Sequence, residues 1–225
     1  MKVVSLILFI ISFSVHAYVG VELAIPQARF EENESGTPTP FINAPTIDWK
    51  LFYQHNSDSR FTWGVSYYSQ SIDLSDGNKG LTFDKTDFTR SQATGYVAIG
   101  SKEGWFARVG AHYTTTPYFY EEPTADPTTN SITGEMATRF DPFILAGIYY
   151  KTGFGGGQVT MKLMKLSEVE VDDQKLSGTG SEIYFSMFLN KGQNLGIFFR
   201  YLNEFTSGDY DFIYDARSFG IIARF

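Results

Sequence analysis

Histidine is the first place to look for catalysis, and the chain has three, at His16, His55 and His112. His112-Tyr113-Thr114 sets an imidazole two residues from a hydroxyl, so an extended backbone projects both from one face. An imidazole activates a hydroxyl only within hydrogen-bond reach and with a third group to orient it; no acid flanks His112 in the sequence. Asp172-Asp173 is an adjacent acid pair, but His55 falls at the opposite end of the strand pattern described below.

Other carboxylates crowd the polar stretches: Glu31, Glu32 and Glu34; Asp73, Asp76, Asp84 and Asp87; Glu121, Glu122 and Asp126; Asp209, Asp211 and Asp215. Clustered oxygens hold calcium or magnesium, yet this spacing matches no defined cation loop. Asp76-Gly77-Asn78 reads as a turn, and a solvated acidic rim is the expectation. The glycine-rich stretch 153–157 lacks the Lys-Ser/Thr ending of a phosphate loop. Tyr118-Phe119-Tyr120 after Pro117 offers either an aromatic platform for a ligand or, as the expectation here, strand packed on its neighbours.

These groups need a scaffold, and the chain supplies one by alternation. Residues 18–30, 45–54, 60–70, 88–100, 105–115, 139–150, 158–171, 182–190, 195–202 and 218–225 each put apolar side chains on one parity and polar or small ones on the other. Pro26 predicts a bend in the first segment, the fourth is weak, and Lys165 interrupts the seventh at either a bulge or a membrane rim. Short polar connectors (56–59, 101–104, 153–157, 191–194) alternate with longer ones (31–44, 73–87, 116–138, 172–180, 206–211). Tight turns at one end and longer loops at the other predict an up-and-down antiparallel barrel of about ten strands, or eight if the weak segments fail.

On the inner parity lie Glu22, Asp48, Lys50, Arg108, His112, Asp141, Lys162, Glu182, Arg200 and Arg224. Mixed signs enclosed in a small barrel pair across it and fill it; the rival is a narrow polar conduit. On the outer parity, aromatics gather at segment ends: Tyr53, Phe61, Trp105, Tyr150 and Phe225 beside the short turns, and Tyr67, Tyr113, Phe140 and Tyr201 beside the longer stretches. Two such girdles suit the boundaries between lipid tails and head groups.

The last strand is the most informative. Ser218, Gly220, Ala223 and Phe225 fit a polar-x-Gly-x-x-apolar-x-aromatic pattern ending on the terminal residue. It resembles the closing strand and insertion signal of bacterial outer-membrane β-barrel proteins. The resemblance implies an integral outer-membrane, porin-like barrel with lipid and lipopolysaccharide around it, the barrel-assembly machinery as its partner during insertion, and a monomer. An adhesion barrel acting through its acidic, tyrosine-containing loops is the alternative.

At the other end, Lys2, an apolar run over 3–15 and Val15-His16-Ala17 form a secretory signal cleaved after Ala17, leaving 18–225 as the barrel domain. The run is shorter than the about 20 residues a membrane helix needs. Cysteine is absent, so no disulfide braces the loops. A formal charge of −7, one unit more negative once Lys2 leaves, argues against nucleic acid. No cofactor or metal motif stands out. Outer-membrane lipases and deacylases resemble one another in a His and Ser two apart, and omptin-like proteases pair an acid dyad with Asp-His. Here Thr114 takes the Ser slot and Asp172-Asp173 the acid dyad, which makes a hydrolase the third reading.

Overall fold

A computed structural model describes residues 17–33, 39–44, 46–56, 60–75, 81–101, 103–122, 130–153 and 155–225. Residues 1–16 of the expected signal segment lie outside these residues, while its last residue, Ala17, is described; Glu34, Asp76, Asp126 and the side chains of Glu32, Glu121 and Glu122 also lie outside.

Twelve strands form one sheet: β1 (Ala17–Asn33), β2 (Thr39–Ile42), β3 (Asp48–Asn56), β4 (Phe61–Asp73), β5 (Leu81–Phe83), β6 (Asp87–Gly100), β7 (Gly104–Glu122), β8 (Asn130–Lys151), β9 (Gly156–Val171), β10 (Gln174–Phe188), β11 (Leu195–Gly208) and β12 (Asp211–Arg224). Ten of them pair antiparallel with their chain neighbours, and β12 closes on β1 from Gly20↔Arg224 to Asn33↔Asp211. This is the ten-stranded up-and-down barrel that the alternation predicts. Closure removes the unpaired edges a flat sheet would expose. β2 continues the wall beside upper β1 where β3 stops, and β5 pairs parallel with the start of β8.

The outer face is oily. Leu23, Leu51, Trp63, Val65, Val97, Val109, Ile144, Met161, Ile183, Phe199 and Ile221 are all exposed, while the intervening residues point inward and are mostly buried. No described helix is long and apolar enough to cross a membrane, so any crossing is by strands.

The strands outrun the alternation. Stretch 116–138 is mostly strand, with β7 running to Glu122 and β8 starting at Asn130. Stretch 172–180 reduces to a turn at Asp172-Asp173, both at positive φ, and 206–211 to a turn at Asp209-Tyr210. The two ends therefore differ less in loop length than expected: two of the five longer connections are tight hairpins on tall strands. β1 passes through Pro26 unbroken, opposite Ser218, at a point where pairing to β3 has ended and pairing to β2 has not begun. At Lys165 both explanations apply in part. Lys165 keeps the outward parity above Leu163, and the bulge follows two residues later, where Ser167 and Glu168 together oppose Ser177.

Candidate functional site

The lumen is the one enclosed space these strands make, and it is filled in tiers. At the end carrying the tall hairpins sits an aromatic cork. Phe30 from β1, Phe41 from β2, Phe88 from β6, Tyr118 and Phe119 from β7, and Phe212 and Tyr214 from β12 are all buried. Phe119 meets Phe30, Phe41 and Phe88 edge-on at 5.2, 4.9 and 5.3 Å, and Tyr118 reaches Phe212 at 5.2 Å. Contacts from β7 to β1 and β12 cross the barrel, so the upper β7–β8 hairpin leans over its mouth. Tyr118-Phe119-Tyr120 is thus interior packing and presents no platform to a ligand.

Beneath the cork lies a charge clamp. Glu204 receives Arg90 at 2.5 and 3.2 Å on its two oxygens, and Arg139 bonds the same carboxylate. Arg139 also holds Asp141 through Nε at 2.6 Å and donates to the Tyr118 hydroxyl. The Arg90 guanidinium lies 4.3 Å from the Tyr214 ring centre, and Tyr214 donates to Gln70 Oε1 at 2.5 Å. Buried charges persist when paired and hydrogen-bonded, and these are. Of this clamp the sequence reading named only Asp141. Arg90, Arg139 and Glu204 share the inner parity; Arg90 and Arg139 lie within segments 88–100 and 139–150, and Glu204 lies just beyond 195–202.

The middle tier holds most of the groups expected there. Lys50 pairs with Glu22 at 3.3 Å, and Tyr184 donates to the same carboxylate at 3.1 Å. Lys162 pairs with Glu182 at 3.1 Å, Arg200 lies 3.8 Å from Asp48, and the Tyr68 hydroxyl donates to Asp48. The gap left among them, of about 80 Å³, is lined by Lys50, Tyr68, Arg108, His112, Lys162 and Arg200 among others.

His112 does not assemble a catalytic group. Its cross-strand partner is Asp141, a pairing invisible in the sequence, but that carboxylate is taken by Arg139 and by the Ser167 N–H at 3.0 Å. Lys162 Nζ donates to His112 Nε2 at 3.1 Å, which leaves Nδ1 as the protonated nitrogen, 2.8 Å from Thr94 Oγ1. Both ring nitrogens are therefore engaged, and Thr114 is not among their partners. Asp172 and Asp173 are exposed at a hairpin tip. Among the described residues no group of three or more His, Asp or Glu is placed to hold a metal ion.

At the end carrying Ala17 and Phe225, the lumen opens into a cup of about 210 Å³ lined by Tyr18, Gln54, Arg60, Phe106, Tyr149, Gln158, Phe188 and Arg224 among others. Arg108 lies one layer deeper, its guanidinium 4.7 Å from the Phe106 ring centre and its Nη2 donating to the Tyr149 hydroxyl at 3.0 Å.

The expected surface residues fall as follows. Phe61, Tyr67, Trp105, Tyr113 and Phe140 are exposed on the outer wall. Tyr53, Tyr150 and Tyr201 are half-buried there, against Trp63, Phe185 and Asp215 respectively. Ser218 is buried, Gly220 packs against the β1 backbone at Leu23 and Ala24, and Ala223 pairs with Val21. Phe225 is 81% exposed, its N–H donating to the Val19 carbonyl at 2.8 Å.

No protein-family model and no curated protein sequence matches the chain. Solved structures do. The outer membrane protease OmpT of Escherichia coli aligns with TM-score 0.53 and 10% identity over 95% of this chain and 98% of that one. Ail, the attachment invasion locus protein of Yersinia pestis, solved with the heparin analogue sucrose octasulfate, aligns at 0.37 and 13% over 94% and 100%. A FadL homologue of Pseudomonas aeruginosa aligns at 0.37 and 8% over 93% and 89%. At 10% identity the likeness to OmpT carries the fold and nothing of its proteolysis. Closed by β12 on β1, oily outside and ionic within, the chain is a ten-stranded β-barrel of the bacterial outer-membrane type.

Proposed function

We propose that this chain is an integral outer-membrane protein with a sealed, non-conducting lumen, exported by a cleaved signal over 1–17. Both termini and the short turns face the periplasm, and the tall hairpins face outward, the usual arrangement of such barrels. The aromatic cork carries the reading. Phe30, Phe41, Phe88, Phe119 and Phe212 pack across the mouth above the Arg90–Glu204–Arg139 clamp, which leaves a hydrated ion no continuous path. The lumen is thus the filled version of the two that its mixed charges allow.

Planar-bilayer recording of the purified protein tests this. The expected trace is silent at applied voltages that open known porins; resolvable, reproducible conductance steps would refute the seal. Insertion rests on the closing strand and the barrel-assembly machinery. Deleting Phe225 should lower the folded, heat-modifiable fraction in membranes, and normal assembly of that variant would remove the insertion-signal reading.

A second reading is a surface-binding barrel, favoured by the height of the β9–β10 and β11–β12 hairpins. They carry exposed Glu168, Glu170, Asp172, Asp173 and Asp209 at and below their tips. Neutralising these five should abolish attachment to a basic surface if that is their role, and unchanged attachment would dismiss it.

A further inference from the structure

We propose that the periplasmic cup is a binding site for a small organic anion, a carboxylate or phosphate ester on a compact apolar body. The argument begins with the charge pattern of the lumen. Lys50, Arg90, Arg139, Lys162 and Arg200 each meet a carboxylate. Arg108 and Arg224 also point inward, yet among the described residues neither has a carboxylate partner. Both lie at the periplasmic end. Arg60 joins them at the rim, and no Asp or Glu is among the described residues that line the cup. Among the described residues, the guanidiniums without a carboxylate therefore lie in the cup, at Arg224, and one layer behind it, at Arg108.

Some polar atoms in and behind the cup lack a protein partner, as do Arg90 Nε and Asp48 Oδ1 deeper in the lumen, but here no carboxylate accompanies the guanidiniums. Arg224 is held as a flat plate, its guanidinium 4.0 Å from the Phe188 ring centre and 4.7 Å from that of Tyr18. Its buried Nε has no protein partner, nor has the buried Oε1 of Gln158 on β9, nor Arg108 Nε behind the cup. Arg224 and Arg108 are half-buried, stacked on rings and without a protein counter-charge, which leaves their charge to solvent or to a ligand. A ligand carboxylate or phosphate supplies the missing charge, and the guanidinium fork matches either group in geometry.

The remaining wall sets the size and body of the ligand. Phe106 stacks on Tyr149 at 4.3 Å, and with Phe188 these rings give the cup an apolar lining beside its donors. Its volume of about 210 Å³ is below the roughly 300 Å³ at which drug-sized sites begin. The cork above makes the cup blind, so it stores or senses what it binds and does not pass it on.

Calorimetric titration of the folded protein in a non-ionic detergent tests the site, with benzoate and phenyl phosphate as probes and benzyl alcohol as the neutral control. Saturable binding of one or both anions is expected, and which one binds more tightly assigns carboxylate or phosphate. Arg224→Gln should weaken binding by about tenfold or more, while Arg29→Gln, on the outer wall at the far end, should leave it unchanged. If Arg224→Gln fails to fold by heat-modifiability, Arg60→Gln replaces it, with a severalfold weakening expected. No saturable binding of either anion, equal binding of benzyl alcohol, or undiminished affinity in a folded arginine variant would each overturn the proposal.

Discussion

The two ends of the lumen are built on opposite plans. The end carrying the tall hairpins is apolar at its mouth and charge-balanced beneath. Its phenyl groups interlock across the barrel, and the Arg90–Glu204–Arg139–Asp141 chain beneath them satisfies two guanidiniums with two carboxylates. The end carrying the short turns is open and positive, with Arg108 and Arg224 resting on aromatic rings without carboxylates. With lipid outside, a barrel finds its polar packing within, and each tier must satisfy its own charges or leave them to solvent or a ligand. The corked tier does the first and the cup the second.

Substitutions at the two ends should differ accordingly. Glu204→Gln strands Arg90 and Arg139 in a buried tier, and a loss of about 3–5 kcal/mol is expected in urea refolding titrations; a small loss would mean that water reaches the clamp. Phe119→Ala removes the ring that Phe30, Phe41 and Phe88 share, at a cost of about 3–5 kcal/mol. Its bilayer recordings also show whether the cork alone blocks ions or the clamp suffices. Val65→Arg, on the outer wall between Phe61 and Tyr67, should cost about 2–4 kcal/mol in a bilayer, and a neutral result would displace the lipid-facing assignment. Arg224→Gln should be the mildest, within about 1 kcal/mol of neutral, because lost ring stacking and relief of an unpaired charge oppose each other. If it matched Glu204→Gln, the end carrying the cup would be as tightly coupled as the corked one and the contrast would fail.

Much of this was legible before any coordinates. The parity of Trp49, Leu51 and Tyr53, of Phe61, Trp63 and Val65, and of Phe219 and Ile221 marks one face as oily, and ten such segments require a closed sheet. What faded was the upper part of each strand. Alternation stands out only where lipid demands an apolar outer face. Above that level Thr115, Thr138, Asn203 and Asp215 take the outer positions, and the pattern dissolves although backbone pairing continues. For this reason 116–138 reads as loop and Glu204 lies beyond its segment, whereas Arg90 and Arg139 lie within theirs on the inner parity and are missing from the interior set for no such reason. A weaker signal was present: Phe88 and Arg90 on the inner parity of one strand, and Phe212 and Tyr214 on that of another.

The sequence by itself determined which face of each strand meets oil and which is enclosed, because a period of two depends only on local backbone geometry. It could not determine who meets whom across the enclosure. Arg90 and Glu204 are 114 residues apart, and their bond exists only because closure sets β6 opposite β11. The same holds for Phe30 and Phe119, and for the lack of any carboxylate partner for Arg224 among the described residues. Partners across a lumen follow from strand order, tilt and register acting together, so the filled end and the open end were decided by the tertiary structure.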